Sequence, residues 1–145
     1  MFLKEFNTNE KRAFANLIYM LADVDKVIAR NEKKLIKEYL NELEIKEENF
    51  SKMTYAEVVY NFKQSSDRIK KIAYFELLGL ALVDGNYEEQ EIDYLDKVAN
   101  DLGITRAKKI AFANFFYNFK NIHKVSVIKT EGKEINLEAE AEKLF

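Results

Sequence analysis

Residues Leu17 to Ile45 align without a gap onto Glu76 to Ile104, at an offset of 59 positions, so both stretches are expected to fold into the same unit. Eight of the 29 paired positions are identical: Leu21 with Leu80, Ala22 with Ala81, Val24 with Val83, Asp25 with Asp84, Glu32 with Glu91, Asn41 with Asn100, Leu43 with Leu102 and Ile45 with Ile104. Apolar identities recur cheaply at core positions. The paired carboxylates do not. Each copy reads as an apolar helical run, a turn bearing an aspartate, and a second helix carrying a glutamate seven residues on.

The chain has no proline and only four glycines in 145 residues, which leaves little turn punctuation for an all-β fold. Helices are therefore expected throughout. At 48% apolar and 33% charged residues, the chain is strongly patterned and long enough to bury a core without disulfides or structural metal. The absence of cysteine excludes disulfides, thiolate metal sites and a cysteine nucleophile, and the single histidine, His123, excludes a multi-histidine zinc site within one chain. A net charge of −2 gives no general attraction to nucleic acid or anionic membrane, and no nucleic-acid partner is expected.

Ile72 to Val83 is the longest apolar stretch, interrupted by Glu76 and too short to span a bilayer. The start of the sequence is mixed in charge and lacks the apolar run of a secretory signal, so a cytoplasmic location is expected.

Helical spacing and capping residues set the expected elements. A first helix begins after Thr8 or Asn9 and places Phe14, Leu17, Ile18 and Leu21 on one face; a second carries Leu35, Ile36, Tyr39, Leu40 and Leu43. Thr54 and Glu57 form a capping-box pattern for a third. The fourth runs from Asp67 to Val83, capped by Ser65 or Ser66, and is apolar nearly all round in its second half, as suits a central buried helix; Gly79 within it suits close backbone packing. Asn86 and Glu89 repeat the capping-box spacing at the start of a fifth, which Gly103 ends. Thr105 then caps a sixth, rich in aromatics: Phe112, Phe115, Phe116, Tyr117 and Phe119. Beyond Asn121 the pattern changes to a short hairpin, Val125–Val127 with Ile135–Leu137 around Glu131-Gly132, and a final amphipathic segment ending Leu144-Phe145. The expected organisation is a helical domain over residues 1–120 and an extension over 121–145 packed on that domain or on a partner.

Asp84, Asn86, Glu88 and Glu91 in the second copy, with Asp23, Asp25 and Glu32 in the first, supply the hard oxygen donors that calcium or magnesium prefers. Asp84, Glu88, Glu91, Asp25 and Glu32 are thus the candidate metal ligands, for a divalent cation that the donor set does not narrow to calcium, magnesium or zinc. An EF-hand is excluded in both copies, because the required glycine position falls on Tyr87 or Ile28. The competing role for these carboxylates is capping, since acids at a helix start satisfy free N–H groups and suit the positive end of the dipole.

Glu76, inside its apolar run, is expected on an exposed stripe of its helix, with proton transfer as the alternative; an enzyme using Glu76 or the Asp84 cluster is the competing functional class. His123 reads as a surface residue. The phenylalanines of the sixth helix read as core, with Tyr117 off the main stripe leaving room for a homodimer contact, and a purely structural dimer is a third reading. Thr105-Arg106-Ala107-Lys108-Lys109 reads as a solvated helix start and matches a DNA-reading helix only in being basic. No Walker loop, dinucleotide glycine pattern, nucleophile elbow or paired-histidine motif is present.

Leu21-Ala22-Asp23-Val24-Asp25 with Glu32, and Leu80-Ala81-Leu82-Val83-Asp84-Gly85 with Glu91 followed by Asp101-Leu102-Gly103-Ile104, resemble the repeated signature of the TerB-like tellurite-resistance family over residues 9–119. The resemblance implies an all-α helical bundle of two related halves and a metal site at the acidic turns. It also implies a non-enzymatic module that binds a protein partner in bacterial stress-response or envelope-associated systems. Asp25, Glu32, Asp84 and Glu91 match the family's acidic positions. Lys26 stands where the turn glycine is expected, so the first half-site departs from the pattern.

Overall fold

With no proline to stop helices, their ends depend on side-chain caps and on residues that leave the helical region of backbone space. The computed structural model describes residues 2–24, 33–82, 88–118 and 138–145, which are mostly helical, with no strand among them. The helices are α1 (Thr8–Val24), α2 (Lys33–Glu42), α3 (Tyr55–Lys63), α4 (Asp67–Ala81), α5 (Glu89–Asp101) and α6 (Arg106–Asn118). Short 3₁₀ turns occupy Leu3–Glu5 and Glu47–Asn49, and residues 138–142 add a last helical turn. The expected hairpin of the extension lies outside the described residues.

The caps follow the local sequence with two shifts. Thr54 and Glu57 exchange both bonds of a capping box at the head of α3, Ser66 Oγ accepts the Ile69 N–H of α4, and Thr105 Oγ1 accepts the Lys108 N–H of α6. α1 is capped by Asn7, ahead of the expected Thr8 or Asn9. Asn7 Oδ1 accepts the Glu10 N–H and Glu10 Oε1 accepts the Asn7 N–H, both at 2.9 Å. Of the three polar candidates, only Asn7 has a glutamate three residues on. α5 likewise starts at Glu89 with Glu88 before it, later than the Asn86–Glu89 pattern places it.

The 59-residue repeat is present in the backbone. The caps Asn7 and Ser66 are 59 apart, as are the last residues of α2 and α5, Glu42 and Asp101. Both second helices end in the same Schellman turn. Ile45 N–H reaches Leu40 O at 2.9 Å and Glu44 N–H reaches Asn41 O at 3.0 Å; Ile104 N–H reaches Ala99 O at 2.8 Å and Gly103 N–H reaches Asn100 O at 3.2 Å. The halves then part. Thr105 caps α6 at once, whereas residues 46–54 intervene before α3.

Gly103 takes φ +72° at its turn without steric strain, but its counterpart Glu44 is held at φ 59°. A left-handed non-glycine residue costs about 1–2 kcal/mol, against about 0.5–1 kcal/mol of extra chain entropy lost by glycine. The Lys11 Nζ to Glu44 Oε2 approach of 3.6 Å is too exposed to offset the difference. Glu44→Gly is therefore expected to raise stability by about 0.5–1 kcal/mol in denaturant unfolding, and a loss of stability would refute the strain argument.

α1 and α4 form the centre. α1 packs on α3, α4 and α5, and α4 on α1, α5, α6 and the N-terminal turn. Residues 72–81 of α4 are buried without interruption, Gly79 among them, as its all-round apolar sequence requires. Phe75 is the hub of an aromatic cluster, with ring centroids 4.7 Å from Phe116, 5.3 Å from Phe145, 5.4 Å from Phe112 and Phe115, and 6.1 Å from Phe2. α6 thus spends its phenylalanines on the core, while Ile110 and Tyr117, two turns apart, are exposed. No helix among the described residues is long and apolar enough to cross a membrane.

Candidate functional site

The acids that open α5 are the described part of the duplicated acidic turn. Glu88 is exposed, and Glu91, three residues on, is fully buried. Its Oε2 accepts the Glu88 N–H at 3.1 Å, so one carboxylate oxygen satisfies a free amide of the first turn and fixes the side chain's rotamer. One turn further, the Tyr94 hydroxyl donates to Leu17 O of α1 at 2.9 Å, and burial pushes its phenol well above the usual range. At the other end of α5, Asp101 Oδ2 accepts the Tyr55 hydroxyl at 2.7 Å, with Lys97 Nζ 4.5 Å from the centre of the Tyr55 ring. Burial, then the bond and charge of Asp101, raise the Tyr55 phenol. Glu91 therefore sits at the start of a helix that Tyr94 ties to α1 near its middle and Tyr55 holds at its C-terminal end.

Asp84, Asp25, Glu32 and His123 lie outside the described residues. Asp23 is exposed near the end of α1. Among the described residues, no three acidic or histidine side chains are gathered closely enough to hold a metal ion. Glu88 and Glu91 are the described members of the candidate set, and their chemistry, hard carboxylate oxygen, fits a divalent cation.

Glu76 is not on an exposed stripe. It is 4% exposed, and its Oε1 accepts the Phe2 N–H at 2.8 Å, so the carboxylate that interrupts the apolar run ties the N-terminal turn to α4. Tyr39 of α2 is buried nearby. Its phenol is raised well above the ordinary value by burial first and then by the charges of Glu76 and Glu42.

Two buried polar groups escaped the sequence reading. Glu10 Oε2 accepts the Ser65 hydroxyl at 2.5 Å while its other oxygen caps α1, so one carboxylate joins the start of α1 to the α3–α4 link. The Asn-x-x-Glu spacing is the signal that could have found it. Asn16, 2% exposed, uses Nδ2 on Arg12 O and Ser51 O, and Oδ1 on the Met53 N–H. No local pattern marks it.

Open surface grooves adjoin Ile45 and Lys46. One of about 400 Å³ is lined by Lys37, Asn41 and Glu48, and another of about 300 Å³ by Lys11, Arg12 and Phe50. Neither reaches Glu76, Glu88 or Glu91. The basic start of α6 is engaged within the chain: Lys109 Nζ pairs with Asp96 at 3.1 Å and Lys108 Nζ donates to Leu144 O. Comparison with protein-family models, with curated proteins and with solved structures found no match.

Proposed function

We propose that the chain is a TerB-like helical module that acts by binding a protein partner rather than by catalysis, in a cytoplasmic stress-response or envelope-associated complex. A divalent cation steadies its second acidic turn. The observation that supports this most is the buried Glu91 at the head of α5, in the copy of the repeat that also carries Asp84 and Glu88. Asp84, Glu88 and Glu91 are the residues that would hold the cation, and its charge would neutralise an otherwise self-repelling acidic turn. Glu91, fixed by the Glu88 amide, presents a carboxylate whose ordering cost is already met by the helix start. The non-catalytic reading draws on Glu76 and Glu10, whose carboxylates accept backbone and hydroxyl donors that hold the fold together.

Calcium, magnesium, manganese and zinc titrations read by thermal melting and by amide NMR test the reading. A cation bound only by the folded chain, at a hundredfold excess over Kd, adds about 2.7 kcal/mol, or roughly 5–10 °C in Tm for a domain of this size. Asp84→Asn with Glu88→Gln is expected to remove that rise without disturbing the Glu91 cap. Melting curves and NMR spectra unchanged by all four cations would overturn the cation part. Unchanged partner binding by the double variant would overturn the choice of surface.

A further inference from the structure

Residues 138–145 are held on the protein as a bound peptide is held. Their helical stretch spans five residues, far below the length that is stable alone, and Ala141 is the one fully buried side chain of the segment. The remaining attachment comes from anchors. Phe145 enters the aromatic groove with its ring centroid 5.1 Å from Phe2, 5.3 Å from Phe75 and 5.5 Å from Phe112. Arg68, at the start of α4, lies 5.6 Å over the same ring. Its guanidinium donates to Glu142 at 2.6 and 2.8 Å and to Glu5 at 2.8 and 3.0 Å.

Two of the segment's three glutamates meet cations of the surface, while Glu140 pairs with Lys143 within the segment at 2.9 Å. The segment carries Glu138, Glu140 and Glu142, and the surface beneath it offers Lys4 to Glu138 at 3.9 Å, Arg68 to Glu142, and Lys108 to the carbonyl of Leu144. A short amphipathic turn with an aromatic anchor in a pocket and a carboxylate on an arginine is a helix-in-groove mode of recognition. Nineteen residues, 119–137, separate the segment from α6, so it is tethered in the chain as a ligand joined to its own site.

We propose that the groove formed by the N-terminal turn, α4 and α6 is a peptide-docking site that this chain fills with residues 138–145. A partner segment of the same chemistry takes their place: an acidic helical turn with a glutamate three residues before a phenylalanine. The partner's phenylalanine replaces Phe145 among Phe2, Phe75 and Phe112, and its glutamate replaces Glu142 on Arg68. Arg68 lies about 20 Å along α4 from Ala81, the helix's last residue, and Phe75 about 9 Å; none of the groove residues is a candidate cation ligand, so the site does not depend on a cation.

The test uses a fluorescent peptide of residues 138–145, blocked at both ends, titrated into the full chain. Phe145→Ala, with its far-UV circular dichroism unchanged, is expected to bind the peptide saturably. The wild-type chain is expected to bind at least tenfold more weakly, because its own tethered segment competes. Adding Arg68→Gln, or replacing the peptide's phenylalanine by alanine, is expected to cost at least tenfold. Should Phe145→Ala fail to fold, Glu142→Gln keeps the ring and weakens the tethered segment, and it too is expected to bind more tightly than wild type. Absence of binding by a folded variant, or binding indifferent to Arg68 and to the peptide's phenylalanine, overturns the proposal. A wild-type dimer in sedimentation that Phe145→Ala converts to monomer also overturns it, by making a second copy of the chain the occupant.

Discussion

Phe75→Ala is expected to cost about 3–5 kcal/mol and to lower Tm by roughly 10 °C or more. Phe75 is 1% exposed and touches five other aromatic rings, contributed by the N-terminal turn, α6 and the C-terminal segment. Removing the ring forfeits its transfer energy and leaves a cavity lined by rings fixed on three separate pieces of chain, which cannot all collapse into it. Edge-to-face and tilted ring pairs add about 0.5–1.5 kcal/mol each beyond area. A domain stable by about 5–15 kcal/mol loses a large fraction of its margin. Urea unfolding followed by far-UV circular dichroism measures the loss directly, and a value below about 1 kcal/mol would show that the cluster repacks around the gap.

Asn16→Ala is expected to cost about 2–4 kcal/mol, although no apolar packing of note is lost. The asparagine amide is the partner of Ser51 O at 3.0 Å and of Met53 N–H at 2.8 Å, both on the link that precedes α3. Alanine leaves those peptide groups without it, each at about 1–3 kcal/mol if water cannot enter. Hydrogen exchange at Met53 is expected to rise along with the loss. Asn16→Asp separates the two halves of the amide's role. It keeps the acceptor for Met53 but sets a carboxylate against the carbonyls of Arg12 and Ser51, which raises the folded-state carboxyl pKa above its unfolded value. The folded form then binds the proton more tightly, so this variant is expected to gain stability as pH falls toward 4 and to lose it as pH rises. A variant as stable as wild type at pH 7 would argue that the link before α3 is not held through this residue.

The features legible in the sequence are those whose causes are local. A capping box needs two residues three apart, and a Schellman turn needs a residue tolerant of positive φ; Thr54 with Glu57 and Gly103 met those conditions in plain view. Where two local solutions competed, the expected register of α5, capped by Asn86 and Glu89, was two residues early. Asn86–Glu89 and Glu88–Glu91 both fit a capping box. Glu91 is the member that shares a face with the buried Leu95 and Val98, so packing of that face chooses it. Glu44 hid its turn because its identity says nothing of positive φ. Only the 59-residue match to Gly103 marks it.

The all-α class and the repeated helix pair were readable in the residues because periodicity and caps act within a few positions of one another, and the 59-residue match sets the same local pattern down twice. The buried polar groups, by contrast, are placed by partners far away in the chain. Glu76 meets the Phe2 amide 74 residues away, Glu10 meets Ser65 55 away, and Asn16 meets Ser51 and Met53 35 and 37 away. A carboxylate inside an apolar run reads as an exposed stripe until a distant backbone donor is brought to it. Burying such a group without that donor costs several kcal/mol, so its position is settled by whichever distant segment satisfies it.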